Sequence, residues 1–203
     1  MRGTAVVTAY RMVGALLILV AVGYQMSVNA AKGGFEPVSF FSFFTTLSNL
    51  ITVAALLAAA ARPSRAVDLL RGAAVVYMVT TFVVVVILLS SADLQVAVPW
   101  VDFVVHKLMP VAIVLDWLLV APSRHLPLGR TMLWLAFPVM WLAYTLIRGA
   151  IVGWYPYPFL NPALTNGYGA VAVTCLVIAA GMVALTLLVG WIGNARWRTR
   201  VRR

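Results

Sequence analysis

Residues 39–61 read SFFSFFTTLSNLITVAALLAAAA, a run of 23 residues without one charged side chain. A helix of that length rises about 34 Å at 1.5 Å per residue, which is enough to cross a hydrocarbon core of about 30 Å. Thr45, Ser48, Asn49 and Thr52 lie well inside the run. The stretch therefore predicts a membrane-spanning helix that carries polar side chains into the bilayer.

Five further apolar runs have a similar length, and the composition agrees with them. Of 203 residues, 64% are hydrophobic and 10% are charged, too few charges for the surface of a soluble domain. We predict one all-α domain over residues 1–203, a bundle of six transmembrane helices in the cell membrane. We expect the first run to remain rather than to be removed as a signal peptide. The predicted spans are 8–29, 39–61, 70–91, 99–121, 131–153 and 168–192.

The basic residues set the orientation of the predicted bundle. The formal net charge is +10, and of the 15 lysines and arginines all but Lys32, Lys107 and Arg148 fall on one side of the six-span arrangement. This positive-inside pattern places both termini and the basic tail 193–203 in the cytoplasm. It explains the charge without a nucleic-acid partner. We expect the tail to contact anionic lipid headgroups.

Polar side chains of five predicted spans fall into one shallow layer, within about 10 Å of the outer surface. The inner half holds little besides Asp68 and Asp116, and we expect Asp116 to pair with an arginine of a cytoplasmic loop. Polar groups at one depth on several helices can meet in the interior of the bundle. The layer consists of Gln25, Thr45, His106, Arg148 and Thr174.

The second predicted span carries its polar residues as a stripe. Thr45, Ser48, Asn49 and Thr52 are spaced i, i+3, i+4, i+7, so they share one helical face. Thr46 points about 100° away from that face. The stripe is expected to face the bundle rather than lipid.

The fourth predicted span, with WVDFVVHKLMPVAIVLDW at 100–117, contains ionisable residues that are costly in a bilayer. Asp102 and His106 are four residues apart and share a face. Pro110 cannot donate the amide hydrogen that would bond the His106 carbonyl, which predicts a kink. A face with a free carbonyl is expected to line the bundle interior or a wet cavity.

These residues together could support nucleophilic catalysis. His106 would act as a base oriented by Asp102, and it would activate the Thr45 hydroxyl, with Ser48 in reserve. Arg148 or Lys107 would hold a carboxylate or stabilise negative charge at the acyl carbon. We expect no cofactor and no metal. The alternatives are a small proton-coupled transporter, which needs polar groups in the inner half too, and a non-catalytic scaffold whose polar layer holds helices together.

Three stretches, FFTTLSNL, WVDFVVHKLMPVAIVLDW and WYPYPFLNP, resemble in order and spacing the androgen-induced protein and androgen-dependent TFPI-regulating protein family. The similarity is to its bacterial six-helix membrane branch. It implies a membrane hydrolase with a threonine nucleophile and a histidine; the animal members cleave fatty acid esters of hydroxy fatty acids. The histidine corresponds to His106 and the threonine to Thr45 or Thr46, with the stripe favouring Thr45.

The resemblance also implies a lipid or fatty-acyl ester as the substrate. A polar residue one turn after the family threonine corresponds to Ser48 or Asn49, which we predict to contact substrate. The segment 153–169, GWYPYPFLNPALTNGYG, is rich in aromatic residues and proline. It is either an aromatic belt at the membrane interface or a semi-rigid lid over the polar layer. In the second case Tyr157 is a further substrate-binding candidate.

Overall fold

The computed structural model describes residues 2–89 and 98–202, and within them it is helical without strands. The predicted all-α class is confirmed for that part of the chain. A π-helical turn, Val104–Leu108, joins two of the α-helices, and 3-10 turns occupy Met132–Leu135 and Pro158–Leu160. The α-helices are α1 (Arg2–Ala31), α2 (Pro37–Ser42), α3 (Phe44–Ala61), α4 (Arg65–Leu88), α5 (Pro99–Phe103), α6 (Met109–Leu119), α7 (Leu128–Thr131), α8 (Ala136–Val152) and α9 (Gly167–Val201).

Helix α4 is the centre of the bundle. It packs against α3, α6 and α9, while α1 lies on the far side of α3. Every residue from 71 to 78 is buried, so this part of α4 has no lipid-facing side. A helix that is apolar on all sides is stable only when other helices surround it. The run AAVVYMV at 73–79 makes this part of α4 apolar on all sides.

Five helices of the described residues are long and apolar enough to cross a membrane. Residues 99–119 are helical too, but the π-helical turn divides them into three shorter segments. The outward surface fits a lipid environment, because large apolar side chains such as Leu119, Ile151 and Leu176 are about 70% or more exposed. Soluble monomers rarely expose so much contiguous apolar surface. The chain is therefore a helical protein suited to a membrane.

The helices differ from the approximate predicted spans at several positions. The second predicted span is not one helix, because the chain becomes extended at Phe43 (φ −70°, ψ 127°) and divides it into α2 and α3. Helix α4 begins at Arg65 rather than residue 70, since Ser64 caps it by accepting the Val67 amide at 3.2 Å. Its predicted end at residue 91 lies outside the described residues. Helices α1 and α9 continue beyond their predicted ends on the basic side, to Arg2 and Val201.

The predicted partner of Asp116, an arginine of a loop, was wrong. Asp116 accepts hydrogen bonds from Tyr10, from Arg11 Nε at 2.7 Å and from Arg71 Nε at 2.7 Å. Its partners are thus helical arginines of α1 and α4, not the predicted loop arginine. Arg71 also reaches Asp68 at 3.2 Å. We call Arg11, Asp68, Arg71 and Asp116 the inner ion cluster, after the side that the predicted orientation gives them; all four are at least nine-tenths buried.

Candidate active site in the outer polar layer

A cavity of about 630 Å³, which we call the polar cavity, lies between α1, α3, α5 and the segment 153–157. Its volume is in the range of small-molecule binding sites. Apolar residues such as Phe40 and Val101 form part of its wall. The functional groups at its surface come from distant parts of the sequence, namely Gln25, Thr45, Thr46, Asn49, His106 and Tyr157.

Thr45 reaches this cavity because the helix breaks at Phe43. The Ser42 carbonyl accepts a hydrogen bond from Trp141 Nε1 at 2.9 Å instead of continuing the helical ladder. Helix α3 therefore starts at Phe44, and Thr45 lies in its first turn. Backbone amides of a first turn have no hydrogen-bond acceptor within their own helix. Thr45 donates its amide hydrogen to Tyr157 Oη at 3.3 Å. The break thus places Thr45 at the cavity wall, with Tyr157 as the partner of its amide.

Tyr157 is the partner of Thr45 across the cavity wall. It is 6% exposed, and its Oη also lies 3.3 Å from Thr45 Oγ1. Its ring stacks on Phe159 and meets Phe43 edge to face. Burial raises the pKa of the phenol above its ordinary value, although hydrogen bonds from Thr45 and Phe44 partly oppose this. Tyr157 therefore keeps its proton and can donate a hydrogen bond.

The segment around Tyr157 is fixed by a close contact further back. Gly149 has no side chain, and the ring of Tyr155 occupies the space that a Cβ would need. Gly153, with φ of 70°, ends α8 and turns the chain toward that contact. Tyr157 thus forms one side of the cavity, and the choice between a belt and a lid for segment 153–169 stays open.

His106 and Asp102 form the predicted pair. His106 Nδ1 lies 2.8 Å from Asp102 Oδ1, and the His106 side chain is 4% exposed. Within residues 2–89 and 98–202, Nε2 has no hydrogen-bond partner, although His106 lines the polar cavity. An Asp102 that accepts the Nδ1 proton leaves Nε2 as the basic nitrogen. The second nitrogen is thus available to whatever occupies the cavity.

Asn49 connects the helix of Thr45 to the helix of His106. Its Nδ2 donates to the Thr45 carbonyl at 2.9 Å and to the Val105 carbonyl at 3.3 Å. The Val105 carbonyl is available because the Met109 amide bonds to Val104 instead and Pro110, the next residue, has no amide hydrogen. Pro110 thus disturbs this helix by a π-helical turn, and the carbonyl that gains a side-chain partner is that of Val105.

Other predicted site residues occupy different positions. Ser48 is completely buried and lines neither the polar cavity nor the second cavity described below, and Thr174 lines neither as well. Arg148 stays outside the lining but donates to Ser39 Oγ at 3.0 Å, and Ser39 is at the wall. Lys107 also stays outside, half exposed, 3.6 Å from Asp102 Oδ2. The catalytic and binding roles of all these residues stay predictions.

The charged residues that line the polar cavity were missed by sequence reasoning. Lys32 and Glu36, both exposed, belong to its lining and come from the turn KGGFEP between α1 and α2. The turn has two glycines with positive φ, Gly33 and Gly34, which let the chain reverse there. The available signal was a basic residue in a turn that the positive-inside pattern assigns to the outer side.

Thr45 and His106 both line the polar cavity, but no hydrogen bond joins their side chains in the described part of the chain. A substrate or a water molecule in the cavity can therefore lie between them. Neither a family model, nor a curated protein, nor a solved structure matches this chain. The family resemblance described above accordingly stays a prediction.

Proposed function

We propose that the protein hydrolyses lipid esters, or performs a closely related acyl transfer, in the outer half of the membrane. The observation that supports this most is the shared cavity, into which α3 presents a threonine and the π-helical turn presents a histidine. The proposal includes six membrane spans, with residues 99–119 as the fourth, and both termini in the cytoplasm. That orientation puts the polar cavity within reach of esters in the outer leaflet.

In the first step, Thr45 Oγ1 attacks the ester carbon while a water molecule in the cavity passes the hydroxyl proton to His106 Nε2. A tetrahedral intermediate forms, and its carbonyl oxygen becomes an oxyanion. The oxyanion accepts a hydrogen bond from the Tyr157 hydroxyl and lies close to the positive N-terminal end of α3. Collapse of the intermediate breaks the bond to the alcohol oxygen, and His106 returns the proton to that oxygen. The acyl group is then an ester of Thr45.

In the second step, a water molecule replaces the alcohol. His106 Nε2 takes a proton from the water, the hydroxide attacks the acyl carbon, and the bond to Thr45 Oγ1 breaks. The proton returns to Thr45, and a fatty acid is released. Asp102 holds Nδ1 throughout, so that the imidazole keeps one orientation. Asn49 fixes Thr45 relative to the helix of His106 through its two carbonyl contacts.

The test is turnover of a fluorogenic fatty acyl ester by purified protein, together with labelling by a fluorophosphonate probe. Thr45→Ala and His106→Ala are expected to lose labelling and to lose turnover by about a thousandfold or more. Thr46→Ala is expected to retain most activity, which separates the two candidate nucleophiles. The matched controls are Thr174→Ala and His125→Ala, because neither residue lines the polar cavity. Unchanged labelling in both Thr45→Ala and His106→Ala would refute the threonine–histidine pair.

A further inference from the structure

A second cavity lies directly behind Thr45. It has a volume of about 210 Å³ and is bordered by α4, α8, α9 and the 3-10 turn at Pro158–Leu160. Thr45, Val85 and Tyr157 line both this chamber and the polar cavity, so the two spaces meet at the candidate nucleophile. We call it the apolar chamber. Its remaining lining includes Leu142, Ile178 and Met182.

The two spaces differ in chemistry. The polar cavity contains Lys32, Glu36 and Asn29. The apolar chamber is walled by aliphatic and aromatic side chains apart from a few small polar groups, and one of these, Thr80, already donates its hydroxyl to the Val76 carbonyl at 2.8 Å. A hydrocarbon chain can occupy such a space without leaving many polar atoms unpaired.

The chamber also communicates with the outside of the bundle. Val139 of α8 and Val183 of α9 belong to its lining, and they are 65% and 40% exposed. In a membrane this outer surface faces lipid tails. A chain that moves from lipid into the chamber exchanges one apolar environment for another, so it gains little from the hydrophobic effect. Selection there must depend on the size and shape of the chain.

From this arrangement we infer that the apolar chamber binds the acyl chain of the ester, while the polar cavity holds the alcohol portion. The inference rests on the proposed function, because it places the ester carbon at Thr45. It also assigns the chamber to the group that remains on the enzyme after the alcohol leaves. The chamber therefore sets the acyl-chain length that the protein accepts, and the chain enters between α8 and α9.

Ala179 and Ala180 provide a matched pair for the test. They are neighbours in α9 and both are exposed, but only Ala179 lines the chamber. Ala179→Phe is expected to reduce hydrolysis of long-chain esters by at least about tenfold and to leave short-chain esters nearly unaffected, since one methylene more or less in an apolar pocket changes the rate by about 10–200-fold. Ala180→Phe is expected to keep the wild-type chain-length profile. Identical profiles for the two variants would overturn the inference.

A binding measurement makes the result independent of catalysis. The probe is an N-butyl amide of a medium-chain fatty acid with a diazirine at the chain end, which cannot be cleaved as an ester. We expect photocrosslinks at chamber residues such as Ile178 and Leu142 that an excess of the plain amide prevents. Ala179→Phe should remove these crosslinks and Ala180→Phe should not.

The two measurements also separate the two proposals. If the wild type hydrolyses no ester but shows crosslinks that the plain amide prevents, the proposed function fails and the chamber is still an acyl-chain site. If the crosslinks are not prevented by the plain amide, or fall equally on the exposed Leu176, the chamber is not such a site, whatever the turnover.

Discussion

The polar cavity and the inner ion cluster accommodate polar side chains in opposite ways. Both place polar side chains among apolar helices, where an unpaired charge is costly. In the inner ion cluster, both carboxylate oxygens of Asp116 are bonded to arginines, and none of the four residues lines either cavity. Around the polar cavity, the groups are mostly uncharged, and His106 Nε2 is unbonded within the described residues. Paired charges without a cavity indicate a structural role, whereas unused hydrogen-bonding atoms beside a cavity indicate a site for a ligand.

This difference also bears on the transporter alternative. That interpretation needs polar groups in the inner half, and the inner ion cluster would supply them in the predicted orientation. Their side chains are committed to one another, however: Arg71 reaches Asp116 and Asp68, and Asp68 accepts the Ser123 amide at 2.7 Å. A path for ions or protons would have to break these contacts. We therefore keep ester hydrolysis as the proposal that the contacts favour.

The largest expected effect is on stability, in the inner ion cluster. Asp116→Ala leaves Arg11 and Arg71 buried without their shared carboxylate, so we expect a loss of about 3–5 kcal/mol in the free energy of unfolding. The measurement is reversible denaturation in mixed detergent micelles. The control is Glu36→Ala, which removes an exposed carboxylate and should change stability by no more than about 0.5 kcal/mol. Equal stability of the two variants would mean that the cluster is not structural.

The second expected effect is on turnover, in the polar cavity. Tyr157→Phe removes the hydroxyl that contacts Thr45 and that donates to the oxyanion in the proposed mechanism. We expect turnover to fall about 10²–10³-fold, the usual effect of losing one oxyanion donor, while stability falls by only about 1 kcal/mol. The measurement is the ester assay beside the denaturation curve.

Tyr168→Phe is the control for that experiment. Tyr168 is 57% exposed, lines neither cavity, and lies 3.4 Å from the Tyr155 hydroxyl. It should retain wild-type turnover. A Tyr157→Phe variant that is destabilised but fully active per folded molecule would make Tyr157 a structural residue of the cavity wall.

The parts of the site that repeat along one helix could be predicted from the sequence. The stripe Thr45, Ser48, Asn49 and Thr52 is buried as its spacing indicates, with at most 8% exposure. The contact of Asp102 with His106 follows from the same periodicity. Helical periodicity is a local property, so a single sequence contains it.

The remaining features depend on contacts between distant residues. The break at Phe43 has no glycine or proline to signal it, and the structure associates it with Trp141, whose Nε1 bonds the Ser42 carbonyl. Which residues meet in the inner ion cluster depends on how α1 and α4 are rotated about their own axes. Sequence position alone does not fix this rotation. The start of α4 is different, because the capping residue Ser64 and the first-turn Asp68 were visible signals that were overlooked.

The smallest expected effect concerns which lysine receives the anionic end of a substrate. The prediction from sequence chose Lys107 or Arg148, whereas the structure places Lys32 in the cavity lining and leaves the half-exposed Lys107 beside Asp102. An exposed ion pair contributes at most about 1 kcal/mol, so Lys107→Gln should leave stability and substrate preference almost unchanged.

Lys32→Gln removes a basic charge from the cavity lining. It should raise KM for an ester with a free carboxylate by up to about fivefold relative to a neutral ester, which corresponds to about 1 kcal/mol for one basic group near the membrane surface. The measurement is the ratio of the KM values of the two esters for both variants at low and high salt. Salt screens a contact between charges, so the effect of the responsible lysine on this ratio should shrink at high salt. If the KM ratio changes in Lys107→Gln and not in Lys32→Gln, then Lys107, beside Asp102, is the lysine that binds the anionic end of the substrate.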